Sequence, residues 1–183
     1  ISIVTGGGAD LQLKFRIRGD LAAIDVNTAS DALDGLENEW HQFEITCDRS
    51  GNAQWYIDSS TSGSATSISG AGNIDNGSSL TIGSDNTTDN YFIGKIDEVR
   101  IWNDVRTPAE IKASYNRSLS DPYEEANLKL YLRMNNGTGT VAFDHSSSMA
   151  HGTINSATYT SGSINWTSNS NLGAEGEANW RGY

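Results

Sequence analysis

Apolar and polar residues alternate with a period of two along much of this chain. Leu11, Leu13, Phe15 and Ile17 alternate with Gln12, Lys14 and Arg16; Phe43, Ile45 and Cys47 alternate with Gln42, Glu44 and Thr46. Trp55 and Ile57 oppose Tyr56 and Asp58, and Leu128, Leu130, Leu132 and Met134 oppose Lys129, Tyr131 and Arg133. Side chains of a strand point to opposite faces in turn, so each run predicts a strand with one face in a core. Shorter apolar runs at 1–4, 21–26 and 80–83 predict further strands. Gly6-Gly7-Gly8, Gly19-Asp20, Ser50-Gly51-Asn52 and the Asn- and Gly-rich 135–139 are the turns between them. Residues 59–79 are nearly all Ser, Gly, Thr, Ala and Asn and read as loop with one weak edge strand. The pattern changes once. Thr107-Pro108-Ala109-Glu110 offers an N-cap hydroxyl, proline at the first helical position and a carboxylate three residues past the cap, which predicts a short helix from 108 to about 116.

Gly94–Asn103, GKIDEVRIWN, raises a chemical question. If it is extended throughout, Asp97, Val99 and Ile101 share one face, and Ile96, Glu98, Arg100 and Trp102 the other. A carboxylate in step with two β-branched core residues needs a hydrogen-bond donor, a cationic side chain or a bound ion. Backbone N–H groups of a neighbouring turn, Arg100 and Arg106 are the partners at hand.

Composition narrows the class. The 183 residues are 36% hydrophobic and 19% charged, enough for one domain of sandwich type with many turns. With 12 Lys and Arg against 23 Asp and Glu, the net charge of −11 opposes binding to nucleic acid or to anionic lipid. Cys47 is the single cysteine, so no internal disulfide forms, and the alternation places it inward. No apolar run approaches the ~20 residues of a membrane-spanning helix. Asp144, His145, Ser146 and His151 contain the residue types of a hydrolytic triad, but neighbours in one tight turn do not converge on a nucleophile, and turn chemistry explains them.

A family resemblance rests on specific residues. Trp40-His41, Trp55-Tyr56-Ile57-Asp58, Leu80-Thr81-Ile82-Gly83, the 94–103 segment followed by Thr107-Pro108-Ala109-Glu110-Ile111, and then Leu130-Tyr131-Leu132, Asn136 to Thr140, Asp144, Ser146 and His151-Gly152-Thr153 stand in the order of one family. Together they resemble the laminin-G-like, pentraxin-like branch of the concanavalin A-like lectin/glucanase superfamily. The likeness covers roughly 11–166. It implies an all-β fold, a two-sheet antiparallel jelly-roll β-sandwich with one short helix, over 1–172, with 173–183 as a C-terminal tail. Ser59 departs from the family, which usually has glycine after Tyr-Ile-Asp. The family also usually begins with two strands that lie beside the segment equivalent to 96–102. None precedes Ile1, so an upstream segment or another chain is expected to complete the sheet.

The resemblance implies further that Asp97 is a calcium ligand, aided by loop carbonyls. Calcium takes about six to eight oxygens, so Asp97 alone does not make that site. Asp85, Asn86, Asp89, Asn90 and Tyr91 form a candidate ligand loop: oxygen-rich side chains bond sugar hydroxyls and an aromatic ring covers the apolar face of a pyranose. Catalysis is not expected. Lys95 stands where laminarinase-type glycosidases would carry their first catalytic glutamate, and Asp97 and Glu98 point to opposite faces of an extended strand. The function implied is a non-catalytic carbohydrate-binding or adhesion module, extracellular or on a cell or virion surface, with a glycan or surface polysaccharide as partner and no membrane insertion. The alternative is a structural subunit, decoration or fibre protein of a virion or cell-surface assembly, whose partners are neighbouring subunits. An exposed aromatic platform near Tyr91, Trp102 or Trp166 would favour the first.

Overall fold

The computed structural model describes residues 2–5, 11–36, 39–75, 77, 79–84 and 92–159. Two compact units divide the chain, one from Ile1–Gly77 and Val105–Tyr115, the other from Ser78–Asp104 and Asn116–Tyr183. The all-β class holds, and the sheets are small.

In the first unit β1 (Ser2–Thr5), β2 (Leu11–Arg18) and β3 (Ala23–Asn27) form one antiparallel sheet, and β4 (Phe43–Cys47), β5 (Asn52–Ile57) and β6 (Ser60–Ser67) another. The alternation is explained by one shared core: Leu13, Ile17 and Val26 from the first sheet bury against Ala53 and Trp55 from the second, with Leu33, Ile68 and Ala71 from the connections. Ile45 and Cys47 pack at its margin, and burial raises the Cys47 thiol's pKa. Trp55 is completely buried, and its indole N–H donates to Val26 O at 2.9 Å, so the largest core side chain leaves no polar atom unmatched. Gly63 allows close approach on β6. A Cβ there would stand 2.4 Å from Asn27 O.

The Asp58-Ser59 turn joins β5 to β6 with Ile57 paired to Ser60. Both central residues have positive φ, 49° and 65°, the signature of a type I′ turn, which matches the twist of a hairpin. The departure at Ser59 therefore places a side chain in the left-handed region. Asp58 anchors the turn: His41 Nδ1 lies 2.7 Å from Oδ2, and the Gln42 N–H donates to Oδ1 at 2.9 Å. The weak edge strand expected within 59–79 is an eight-residue strand, β6.

The helix α1 is Pro108–Ser114, slightly shorter than expected. Its capping box is complete, with the Glu110 N–H donating to Thr107 Oγ1 and the Thr107 N–H to Glu110 Oε2. Ile111 is its buried residue, and the Arg106 and Glu110 side chains pair at 3.4 Å.

The second unit holds β7 (Val99–Trp102) antiparallel to β8 (Leu128–Leu132), and a short ribbon of β9 (Val141–Ala142) and β10 (Gly152–Thr153). Leu130, Leu132 and Ala142 form its core, with Val99, Met134 and Ile154 packed against it. Two expectations are corrected here. Residues 80–83 are not a strand: Gly83 has φ of 79°, and the Thr81 hydroxyl donates to Ser84 O, which is turn geometry. The 94–103 segment is extended as a strand only from Val99, because Glu98 has φ of 52° and interrupts the alternation. Asp97 is thus out of step with Val99 and Ile101, and Ile101 remains 39% exposed. The edge expected to need a partner beside β7 is occupied on one side by β8 of the same chain.

Candidate functional site

One polar cluster of the second unit gathers on the face of β7 and β8 opposite Val99 and Leu132. Arg100 of β7 is paired across the ladder with Tyr131 of β8, so their side chains meet on one face. Glu98 receives three donors: Arg100 Nη2 and the Tyr131 hydroxyl each lie 2.6 Å from Oε2, and the Ser118 hydroxyl donates to Oε1 at 3.0 Å. The Arg100 guanidinium also donates to Arg117 O. Arg100 and Arg133 both lie over the Tyr131 ring, at 5.2 and 5.4 Å from its centroid. Burial, with the nearby Glu98 charge, raises the Tyr131 pKa.

Asp97 stands immediately before this cluster, outside its bonding. Its Oδ1 accepts the Glu98 N–H at 2.9 Å. Arg100 pairs with Glu98 at 2.6 Å, and Arg106 with Glu110 at 3.4 Å. Burial and then the Glu98 charge push its carboxyl up to about 8. Glu98's oxygens are occupied by Arg100, Tyr131 and Ser118, and among the described residues no group of three or more His, Cys, Asp and Glu is placed to hold a metal ion. Asp97's carboxylate falls well short of the oxygens a calcium ion takes.

The second carboxylate of note is Asp144, 4% exposed. Oδ1 accepts the N–H groups of Tyr131 and Ser146 at 2.8 and 2.9 Å, while Oδ2 accepts the Ser146 hydroxyl at 2.9 Å and the Ala150 N–H at 2.8 Å. Burial opposes its ionisation, but these donors outweigh it and hold the carboxyl below its ordinary range. Asp144 and Ser146 therefore shape a turn and pin it to β8; Asp144 has no oxygen to spare for a substrate. The Asp144 N–H in turn donates to His151 Nδ1 at 3.1 Å. His145, beside it, is held below its usual range by burial and by Arg133.

The ligand loop of Asp85, Asn86, Asp89, Asn90 and Tyr91 lies outside the described residues, as does Trp166. Trp102 is half-buried on β7. The Glu98–Tyr131 cluster escaped the sequence reading. Its signal was present in Arg100, Tyr131 and Arg133 standing on the polar parity of two apolar strands, but only the β7–β8 register joins them.

Comparison with known proteins bears on the fold. Residues 2–112 match the laminin G-like family described as the concanavalin A-like lectin/glucanases superfamily. No curated protein sequence matches. A solved structure, described as that of a "putative carbohydrate binding protein from Bacteroides ovatus ATCC 8483", aligns with a TM-score of 0.56 at 20% identity, over 82% of this chain. The chain spans 44% of that protein's length.

Proposed function

Because the chain belongs to the concanavalin A-like lectin/glucanases superfamily, we propose that it is a non-catalytic carbohydrate-binding module. The observation that carries this reading is the match over residues 2–112, seconded by a similarly folded protein described as carbohydrate binding. Fold analogy ranks functions rather than proving them. The carboxylates support the non-catalytic part. A glycosidase needs two carboxyl groups across one glycosidic bond, with their oxygens open to it. Glu98 is bound by Arg100, Tyr131 and Ser118, and Asp144 by four donors from its own turn and β8. A net charge of −11 suits a neutral glycan better than a polyanionic one. Adhesion at an extracellular or virion surface, with a surface polysaccharide as partner, is the setting this reading proposes. Screening the chain on a glycan array tests it. Binding to one or more neutral glycans is expected; an array without binders, together with a stable oligomer in solution, would favour the assembly-subunit alternative.

A further inference from the structure

The β9–β10 ribbon turns Ala142 and Ile154 inward to the core of its unit, so the residues of opposite parity face outward. Phe143 and Val141 are 44% and 37% exposed. Thr153 is paired directly across from Val141, and His151 stands one step further along, opposite Phe143; both are exposed. The rings of Phe143 and His151 meet edge to face, 5.2 Å between centroids and 72° between planes, and this contact fixes the orientation of each. A second contact fixes the imidazole's proton. Nδ1 accepts the Asp144 N–H at 3.1 Å, so the neutral ring carries its hydrogen on Nε2, the nitrogen away from the turn. The same Asp144 that nucleates the turn therefore orients an outward N–H donor beside an exposed aromatic ring. The Tyr159 hydroxyl, donating to Val141 O at 3.0 Å, adds a half-buried ring at the other end.

We infer that this outer face, with Phe143 as stacking ring and His151 Nε2–H and the Thr153 hydroxyl as polar contacts, is a subsite for one neutral pyranose unit of a glycan. The inference rests on the carbohydrate-binding reading and locates a site for it beyond the residues of the family match. A pyranose presents a C–H face and a rim of hydroxyl groups, which matches one aromatic surface flanked by a few fixed polar groups. The charge of the segment selects a neutral sugar. From Val141 to Tyr159 the one formally charged side chain is Asp144, which is buried and saturated, so this segment brings no Lys or Arg to meet an acidic sugar.

Affinity electrophoresis of the whole chain in native gels tests the subsite, with soluble β-1,3-glucan, galactomannan, arabinoxylan and amylose as neutral probes and alginate as the acidic one. Retardation by at least one neutral probe, and none by alginate, is expected. Phe143→Ala should weaken binding about tenfold or more, Phe143→Tyr should retain it, and His151→Ala or Thr153→Ala should weaken it about threefold to tenfold. Thr153→Ala leaves Asp144's turn untouched, so it decides the matter if Phe143→Ala fails to fold. Unchanged retardation in the Phe143 and Thr153 variants would overturn the subsite while leaving the carbohydrate reading standing. A wild-type chain retarded by no probe would overturn both, and retardation by alginate alone would overturn the neutral-sugar assignment.

Discussion

The Tyr131 hydroxyl donates to Glu98 Oε2 at 2.6 Å and accepts the Leu119 N–H at 3.2 Å, so one buried phenol links β8 to the entry of β7 and to the connection between them. Tyr131→Phe removes a donor from Glu98 and leaves the Leu119 N–H without its acceptor. A loss of about 1–3 kcal/mol in urea unfolding is expected, since orphaned buried groups cost more than the mean hydrogen bond. An unchanged midpoint would show that water replaces the hydroxyl.

Asp144 is the more consequential carboxylate for stability. Asp144→Ala strips acceptors from the N–H groups of Tyr131, Ser146 and Ala150 at once. Each orphaned donor costs about 1–3 kcal/mol, and the loss should be concentrated in the second unit. Hydrogen exchange reads this directly: protection of the amides of residues 130–132 and 142–146 should fall far more than that of 53–57.

Ser59 occupies a left-handed position that glycine adopts without a Cβ penalty. Ser59→Gly relieves strain of about 1–2 kcal/mol, offset by about 0.5–1 kcal/mol of added entropy in the unfolded chain. A small net rise in thermal midpoint is expected. A fall would mean that the serine side chain contributes more than its backbone costs.

Asp97 predicts a pH dependence. Its carboxyl is raised to about 8 in the folded chain, far above the ordinary carboxylate range, so the native state holds a proton that the unfolded state releases. The stability contributed by that proton is fully present below pH ~4 and is lost as the pH climbs to about 8. Asp97→Asn keeps an acceptor for the Glu98 N–H and carries no charge, so it should flatten the decline and be more stable than the parent at pH 9. Melting curves from pH 5 to pH 9, with and without a calcium chelator, check both points. A midpoint lowered by the chelator would support calcium at Asp97; an unchanged midpoint would leave Asp97 its hydrogen-bonding role alone.

Much of the sheet structure was legible because burying one face enforces alternation. β2, β4, β5 and β8 emerge where Leu13, Ile45, Trp55 and Leu130 mark a period of two, and Thr107 and Glu110 announce the helix by their own hydrogen bonds. Of β6 only a weak edge strand was legible, since Ser, Thr, Gly and Ala carry no apolar period; it is a full strand because the Asp58-Ser59 turn sends it back along β5. The 80–83 and 94–98 stretches misled for the opposite reason. Their apolar residues suggest extension, but single residues of positive φ, Gly83 and Glu98, redirect the backbone in ways hydropathy does not record. The polar cluster on Glu98 was hidden because its members lie on separate strands that only the register unites.

The pairing of β7 with β8 also sets the order of events during synthesis. Glu98 and Tyr131 are 33 residues apart, and the helix Pro108–Ser114, a part of the other unit, is made between them. β7 must therefore wait, with Val99 exposed, until Leu128–Leu132 and the Asp144 turn have been translated, whereas β4, β5 and β6 meet through short hairpins as they emerge. Loop closure over such a distance is slow relative to a hairpin. In a nascent chain the first unit's hairpins should thus gain protease resistance early, and the 94–104 segment should remain the cleavage-prone stretch until translation has passed Asp144.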